Sequence, residues 1–329
     1  MTASTSTSRG AASTALTDFL RTYGPAIGML AVLLLFGALK PVFLSPANIA
    51  NVLHQSVVLI VMAFGLAVVM AMRGVDLSVA QIADAAGLTA AILVLNGQPL
   101  WIVIAVPLAL GLAIGLVNGL LAAYVGVPAV IGTLGMMFII RSGELMATNG
   151  AEPQILFSLP RGLTRAFFFV GQGKIGFVSA LVLLGLAVFL VMLAVTTITP
   201  FARRARALGG NARAALLAGI NIRAVFTGGF MLSGLLAAVA GVALVSRTGI
   251  AVPRGAEPYL LDAFAAVYLG TLLSRRAAIT IAGTLVGGLF ITFLGNGLTL
   301  LGLGAPFRYG LNGGFILLAM AIGALKRSN

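Results

Sequence analysis

Two reactive residue types are almost missing from this chain. Cysteine does not occur, which excludes disulfides, thiolate metal sites and cysteine nucleophiles. His54 is the single histidine, so we expect a hydrogen-bonded or interfacial side chain there rather than a metal ligand. We therefore predict no metal site and no cofactor.

Charge is also scarce. Only 8% of the 329 residues are charged, against about 25% in a typical soluble domain. Hydrophobic residues make up 60% of the chain, and the mean hydropathy is +1.13. A surface so poor in charge could not keep the chain soluble, so we expect most of its length to lie in a lipid bilayer.

Acidic residues are the rarer charge, with 7 Asp and Glu against 20 Lys and Arg and a net charge of +13. In a soluble protein this excess would suggest binding to nucleic acid. Here the basic residues are scattered between apolar runs, and no polar domain could form a groove for a duplex. We interpret them as topology determinants and contacts to membrane lipid, with no nucleic-acid partner.

Sequence motifs of catalysis are missing as well. The phosphate-binding loop G-x-x-x-x-G-K-[ST], H-E-x-x-H and G-x-S-x-G do not occur, and no carboxylates are paired for acid–base chemistry. The chain is therefore expected to have no catalytic residues. If it moves a solute uphill, the energy must come from an ion gradient or from a separate ATPase.

Apolar runs of about 20 residues, the length that crosses a bilayer, fill most of the chain. They predict an all-α polytopic membrane protein with about ten transmembrane helices in one domain, residues 22–329. Segment 1–21 is small and polar, lacks the apolar core of a signal peptide, and is predicted to be a disordered cytoplasmic tail. The predicted spans lie near 22–39, 48–72, 77–95, 99–122, 127–147, 176–198, 224–246, 258–274, 277–298 and 307–325.

Clusters of basic residues orient these spans. The densest lie at 203–206, 275–276 and 326–327, and all three fall inside when the N-terminus is inside. Because cytoplasmic loops are enriched in Lys and Arg, we expect both termini in the cytoplasm.

The two halves of the chain match each other at one constant offset in numbering. Asp84-Ala85 aligns with Asp262-Ala263, and Asn118-Gly119-Leu120 aligns with Asn296-Gly297-Leu298. With five spans per half, the halves would have opposite orientations. Such inverted repeats are typical of transporters.

Segment 200–223 is a basic loop on the predicted cytoplasmic side. Gly209-Gly210-Asn211 interrupts it, and Asn211 is a suitable N-cap for a short helix over 212–218 that ends at Gly219. A short capped helix among arginines suits docking into a groove on another protein. A basic amphipathic turn resting on lipid headgroups explains the same pattern.

Four ordered motifs stand out in the chain. They are RGVDLSV at 73–79, PAVIGTLGMM at 128–137, ALGGNARAALLAGINI at 207–222 and LDAFAAV at 261–267. In content and order they resemble those of permeases in sugar ABC importers of the ribose/xylose/arabinose/galactose type. The resemblance runs from about residue 45 to 325.

Two positions depart from the family's pattern. TLLSRRAAI at 271–279 replaces the glycine-rich stretch that usually follows Leu269-Gly270, so the role of that loop is not carried over. Asp84 stands where the family has a small or apolar residue.

The resemblance implies a non-catalytic permease subunit in a bacterial inner membrane. Two permease chains, identical or paralogous, would form the pore for a monosaccharide or similar polyhydroxylated solute. A cytoplasmic ATPase would drive it and a periplasmic binding protein would deliver the solute. Segment 200–223 would couple the ATPase to the pore through Leu208, Gly209, Gly210, Asn211, Ala214, Ala215, Gly219 and Ile220.

Polar residues within the spans are candidates for the solute path, because an ionisable group in lipid is costly and normally faces water or the bundle interior. For Asp84 and Asp262, the alternative is that each caps a neighbouring helix or pairs with an arginine. Asn118 and Asn296 could instead bond between helices. The candidate path residues are Asp76, Asp84, Asn118, Asp262 and Asn296.

Asp76 has an alternative role as the cap of the third span. Ser78 and Gln81 would form a capping box there, and Arg73 could pair with Asp76. Ordinary solvation explains the charges of the outer loops nearly as well as the alternative, that they dock the binding protein. These candidates are Glu152, Arg161, Arg165, Arg254 and Glu257.

Two further functions fit the same sequence. A proton-coupled secondary transporter would use Asp84 or Asp262 as the proton carrier. A related ABC permease would carry nucleosides or branched-chain amino acids. The sequence does not identify the solute, because a pore need not recognise tightly what a binding protein selects.

Overall fold

The computed structural model describes the backbone of residues 7–274 and 277–328, and side chains within 23–160, 164–274, 277–318 and 320–321. The first seven α-helices are α1 (Thr7–Leu39), α2 (Pro46–Ala71), α3 (Val79–Leu95), α4 (Leu100–Leu120), α5 (Ala129–Ala147), α6 (Arg161–Gln172) and α7 (Ala180–Thr197). The others are α8 (Pro200–Gly210), α9 (Ala212–Leu217), α10 (Ile222–Thr248), α11 (Glu257–Leu272), α12 (Ile281–Leu300) and α13 (Ala305–Ser328).

Short elements complete the fold. A 3-10 helix, Pro41–Leu44, follows α1, and α4 continues as a π-helical turn, Leu121–Val125. The described strands are β1 (Gln154–Ile155), β2 (Lys174–Ile175), β3 (Val178–Ser179) and β4 (Ile250–Ala251). β1 pairs with β4 and β2 with β3, both antiparallel.

Six helices of the described chain are long and apolar enough to cross a membrane, so the protein is a multi-pass membrane protein. They are α2, α4 with its π-helical turn, α5, α7, α10 and α12. The sequence predicts about ten spans. The four other predicted segments fall on α1, α3, α11 and α13, which are short, charged or only partly described.

Most of the segment predicted to be a disordered tail, residues 1–21, has a helical backbone, since residues 7–21 form the first part of α1. Residues 1–6 lie outside the described residues. Alanine and leucine, which are strong helix formers, recur in residues 7–21 and favour the helix.

Small polar side chains start many of the helices. A hydroxyl or amide oxygen accepts a hydrogen bond from a backbone N–H in the first turn, which satisfies a group with no partner inside the helix. The residues that do this are Ser45 for α2, Ser179 for α7, Thr199 for α8, Asn211 for α9, Asn221 for α10 and Thr280 for α12.

Glycines bring the central helices into backbone contact. A Cβ at Gly111 or Gly115 of α4 would overlap a carbonyl oxygen of α10, and one at Gly287 of α12 would overlap the carbonyl oxygen of Ala266 on α11. In lipid, small residues allow the close packing that holds helices together. The buried centre consists mainly of α2 and α10. α10 packs against α2, α3 and α4, and α2 also packs against α7, α11 and α12.

Candidate functional site

Segment 200–223 forms two helices joined at Asn211. Its backbone N–H donates to the carbonyl of Ala207 at the end of α8, and its Oδ1 accepts from the N–H of Ala214 in α9 at 3.0 Å. Gly219 has φ +77, and the N–H groups of Gly219 and Ile220 donate back into α9, as in a Schellman motif. The predicted short helix, its cap and its end are confirmed. The helical structure of 200–210 was not predicted.

The predicted coupling residues divide between two faces of this segment. Leu208 and Ala215 are buried, and Ile220 and Gly209 are half-buried, so these four hold the segment against the bundle. The exposed residues are Gly210, Asn211, Ala214 and Gly219.

Two exposed leucines on α9 were missed by the sequence reasoning. Leu216 is 57% exposed and Leu217 is 82% exposed. Two adjacent leucines soon after the predicted cap of a short basic helix are a sequence signal for an apolar contact surface. The same segment carries five exposed arginines, Arg203, Arg204, Arg206, Arg213 and Arg223.

Arg73 binds the segment to the C-terminal end of α2. Its Nε donates to the carbonyl of Gly209 at 2.7 Å and its Nη2 to that of Gly210 at 3.2 Å. Gly209 lies so close to Ala71 that a Cβ would overlap the Ala71 carbonyl oxygen. The predicted pair between Arg73 and Asp76 is wrong, because the guanidinium is held by the C-terminal carbonyls of α8, which attract a cation.

Residues 72–78, between α2 and α3, are not helical and enclose a buried polar network. Asp76 Oδ1 accepts from the N–H and hydroxyl of Ser78 at 3.0 and 2.7 Å, and its Oδ2 accepts from the Ser233 hydroxyl of α10 at 2.8 Å. Asn118 of α4 donates to the Ser78 hydroxyl at 2.8 Å. The predicted capping box is wrong, because the Ser78 side chain makes no capping hydrogen bond and bonds Asp76 instead.

The network lies deep in the bundle. Ser233 is three turns along α10 from its first residue, Ile222, which at the helical rise is roughly 17 Å. That depth is about half of a hydrocarbon core of roughly 30 Å. Irregular backbone is tolerated at such depth only where its polar groups are satisfied or face a cavity. Here Thr133 accepts from the N–H of Leu77 and Asp76 from that of Ser78. The Ser233 hydroxyl in turn donates to the Asp76 carboxylate.

Asp84 joins α3 to the start of α11. Its Oδ1 accepts from the N–H of Ala256, the N-cap residue of α11, at 2.6 Å. Its Oδ2 is buried with no hydrogen-bond partner among the described residues. The carboxylate lines a cavity of about 220 Å³ between α3, α10 and the loop before α11.

Asp262 is held by α13. Arg308 Nη2 donates to its Oδ2, and Asn312 Nδ2 donates to its Oδ1. The Asp262 side chain is 2% exposed and that of Arg308 is 38% exposed. The sequence analysis gave an alternative to solute contact for these two residues, and both contacts it named occur. Asp84 caps a neighbouring helix, and Asp262 pairs with an arginine.

Asn118 and Asn296 form hydrogen bonds between helices, which was the alternative to a role in solute contact. Asn118 reaches Ser78, and Asn296 of α12 exchanges two hydrogen bonds with Asn48 of α2, at 2.9 and 3.1 Å. Asp76 and Asn118 thus meet in one network. Asp84, Asp262 and Asn296 each have separate partners.

The loops after α5 and α10 are brought together by the pairing of β1 with β4. Glu152 precedes β1 in the sequence, and Arg254, which follows β4, forms an ion pair with Glu257. The hydrogen bond and the positive charge of Arg254 hold the pKa of Glu257 below its usual value. No group of three His, Cys, Asp or Glu suited to a metal ion occurs among the described residues.

Comparison with known proteins gives one family. A family model described as a branched-chain amino acid transport system / permease component matches residues 48–322. A ribose import permease protein of Bacillus subtilis (strain 168) is 35% identical over 303 residues, 92% of each chain. A ribose import permease protein of Escherichia coli (strain K12) is 34% identical, over 92% of this chain and 93% of its own length.

A more distant relative is a galactose/methyl galactoside import permease protein of Haemophilus influenzae, 31% identical over 88% of this chain and 90% of its own. No solved structure matches the chain. The family match covers most of the chain and includes segment 200–223, the buried Asp76 network and both interhelical asparagines. The chain belongs to the permease family of binding-protein-dependent transport systems that this model describes.

Proposed function

We propose that the chain is the permease subunit of an ABC importer and forms the path for a monosaccharide or similar polyhydroxylated solute. The names of its relatives, ribose and galactose/methyl galactoside import permeases, support this solute class. The sequence holds no phosphate-binding loop, so ATP is hydrolysed by a separate cytoplasmic subunit.

The link from segment 200–223 to residues 72–78 carries the proposal. One end of the link is an exposed capped helix with two exposed leucines. The other end is the break between α2 and α3, reached through Arg73 and Gly209. A movement of α9 caused by the ATPase would therefore be transmitted to residues 72–78 inside the bundle. Hinge segments of this kind can open or close a path between packed helices.

An inverted repeat of about ten spans is part of the proposal. The offset that relates Asp84 to Asp262 also superimposes the range of α2 on α10, α3 on α11, α4 on α12 and α5 on α13, within a few residues. The packing supports the relation, since α10 packs on α3 and α4 while α2 packs on α11 and α12. Both termini would be cytoplasmic.

The solute path is proposed to include Asp84, with Asp76, Asn118, Asp262 and Asn296 as further members. The unpartnered oxygen of Asp84 in its cavity supports this, because it can accept a hydrogen bond from a hydroxyl group. Asp84→Asn keeps an acceptor for the Ala256 N–H but removes the charge. We expect it to weaken solute uptake at least about tenfold, as a hydrogen bond to a charged group implies. Normal uptake by Asp84→Asn would remove Asp84 from the path.

Further partners complete the proposed importer. A second permease chain would cover part of the exposed apolar surface, which includes most of α5. A periplasmic binding protein would dock on the outer rim near the Arg254–Glu257 pair.

The proposal is tested by uptake into proteoliposomes. The permease is reconstituted with the ATPase and binding protein encoded beside it, and uptake of labelled ribose and labelled galactose is measured. We expect uptake to require both ATP and the ATPase subunit. An uncoupler, which collapses the proton gradient, should not change the uptake rate. Loss of uptake with the uncoupler would instead support a proton-coupled transporter, and uptake of leucine or adenosine alone would support the related permeases.

A further inference from the structure

A groove on the basic surface lies between α8 and the start of α10. It has a volume of about 500 Å³. Its walls are mostly apolar, with Phe201 on α8, Ile220 in the turn after α9 and Val225 on α10. Gly219 leaves one side open, since a Cβ there would have no atom within 4 Å.

Arg204 is the single charged residue that lines this groove among the described residues. Its neighbours are engaged locally, because Arg203 donates to the carbonyl of Ile198 and Arg206 to that of Thr196. Arg204 has no hydrogen bond or ion pair with any described residue. The groove therefore offers a free guanidinium beside an apolar floor.

No carboxylate among the described side chains forms an ion pair with Arg204. Segment 196–225 carries five arginines and no Asp or Glu. The acidic residues that follow Asp18 in sequence either are buried in the bundle, as Asp76 is, or lie on the outer loops, as Glu257 does. A surface of one sign requires its opposite charge from a partner.

We infer that the groove receives an acidic side chain, with an apolar side chain beside it, from the ATPase subunit. The inference rests on the proposed function and specifies the chemistry of its partner. The apolar walls and the exposed Leu216 and Leu217 nearby favour a protein occupant, because interfaces combine an apolar centre with a few oriented charges. A lipid headgroup would need only the basic surface and not the groove.

Charge reversal tests the inference on the full chain. Arg204→Glu, Arg204→Ala and the control Arg206→Glu are placed in nanodiscs, and binding of the ATPase encoded beside the permease is measured at about 150 mM salt. At that salt, exposed charges beyond about 8 Å are largely screened. Arg206 lies on α8 but does not line the groove, so Arg206→Glu controls for general surface charge. We expect Arg204→Glu to weaken binding at least about tenfold, Arg204→Ala to weaken it less, and Arg206→Glu to change it less than about twofold.

Two kinds of nanodisc separate the occupants, one of neutral lipid only and one with anionic lipid. The loss in Arg204→Glu should be the same in both. A loss confined to the anionic discs would assign the groove to lipid headgroups and overturn the inference, as would wild-type binding by Arg204→Glu. An acidic residue of the ATPase, changed to Lys, should restore binding to Arg204→Glu.

The failure of the proposed function would look different. If the wild-type chain binds no such ATPase in either disc, the importer assignment fails together with the inference. If the wild-type chain binds and the Arg204 variants bind equally well, only the groove assignment fails. Thermal unfolding of each variant at the wild-type temperature excludes misfolding as the cause of lost binding.

Discussion

Asn211 stands between two helices, and its side chain serves only the second. Its Oδ1 caps α9, a helix of six residues that has little stability of its own. A capping side chain contributes about 1 kcal/mol to helix stability. The whole exposed part of the coupling segment therefore depends on this one hydrogen bond more than a longer helix would.

Asn211→Ala should loosen α9 and reduce the stimulation of ATP hydrolysis by the loaded binding protein severalfold. Asn211→Asp keeps an acceptor oxygen at the cap and should retain most of the stimulation. The measurement is ATP hydrolysis by the reconstituted complex. Equal stimulation in wild type and Asn211→Ala would show that the cap is not needed for coupling.

Asp262 has a matched test with Arg308. Asp262→Asn leaves Arg308 without its counter-charge and should lower the thermal stability of the chain. The cost should stay below the roughly 3–5 kcal/mol of a fully buried pair, because the Arg308 side chain is partly exposed. Arg308→Met on top of Asp262→Asn should recover part of the loss in thermal unfolding. A double variant less stable than the sum of its single changes would contradict a pairwise role.

At the scale of helices, Gly219 ends α9 in a left-handed conformation. A residue with a Cβ at φ +77 is strained by about 1–2 kcal/mol, although the space around Gly219 is open. Gly210, at the end of α8, is equally open and has no positive φ. The two glycines differ in backbone conformation and not in steric room.

Gly219→Ala should therefore impair coupling more than Gly210→Ala, which adds a Cβ to the exposed face without backbone strain. Both variants should insert into the membrane and unfold at nearly the wild-type temperature, because neither change touches the bundle. Solute uptake by the reconstituted complex is the measurement. Uptake by Gly219→Ala at the wild-type rate would remove the left-handed residue from the mechanism.

Gly115 gives the corresponding test for packing. A Cβ there would overlap the carbonyl oxygen of Phe230, so Gly115→Ala should force α4 and α10 apart and lower the melting temperature of the purified chain. Gly28→Ala on α1 meets no atom within 4 Å and is the control. Equal melting temperatures for the two variants would contradict the backbone contact.

At the scale of the whole molecule, we expect Arg73 to transmit movement from the α8–α9 segment to residues 72–78 and not to contribute to ATPase binding. Arg73→Ala removes two hydrogen bonds to the end of α8 but leaves the exposed face of α9 unchanged. We therefore expect Arg73→Ala to bind the ATPase with nearly normal affinity and to lose most of the stimulation of ATP hydrolysis. Arg73→Lys, which can still reach one carbonyl, should fall between. Loss of binding in Arg73→Ala would mean that Arg73 only holds the segment in place.

The sequence predicts the local parts of this molecule well. Composition alone indicates a membrane protein, because so little charge cannot cover a water-facing surface. The short helix after Asn211 and its end at Gly219 follow from cap and left-handed glycine preferences, which act over a few residues. The family follows from the ordered motifs around residues 73, 128, 207 and 261.

Partners across the bundle could not be read from the sequence in the same way. Sequence spacing suggested that Arg73 pairs with Asp76, but the fold brings the end of α8 to Arg73 and Ser233 to Asp76. The contact of Arg308 with Asp262 likewise joins two helices that are far apart in the chain.

The apolar runs and the cap and end of α9 are decided by neighbouring residues, and the sequence by itself determined them here. The partner of each buried charge depends on which helices pack together. Only the tertiary structure decided that Asp84 caps α11 and that Arg204 lines a groove without a partner among the described residues.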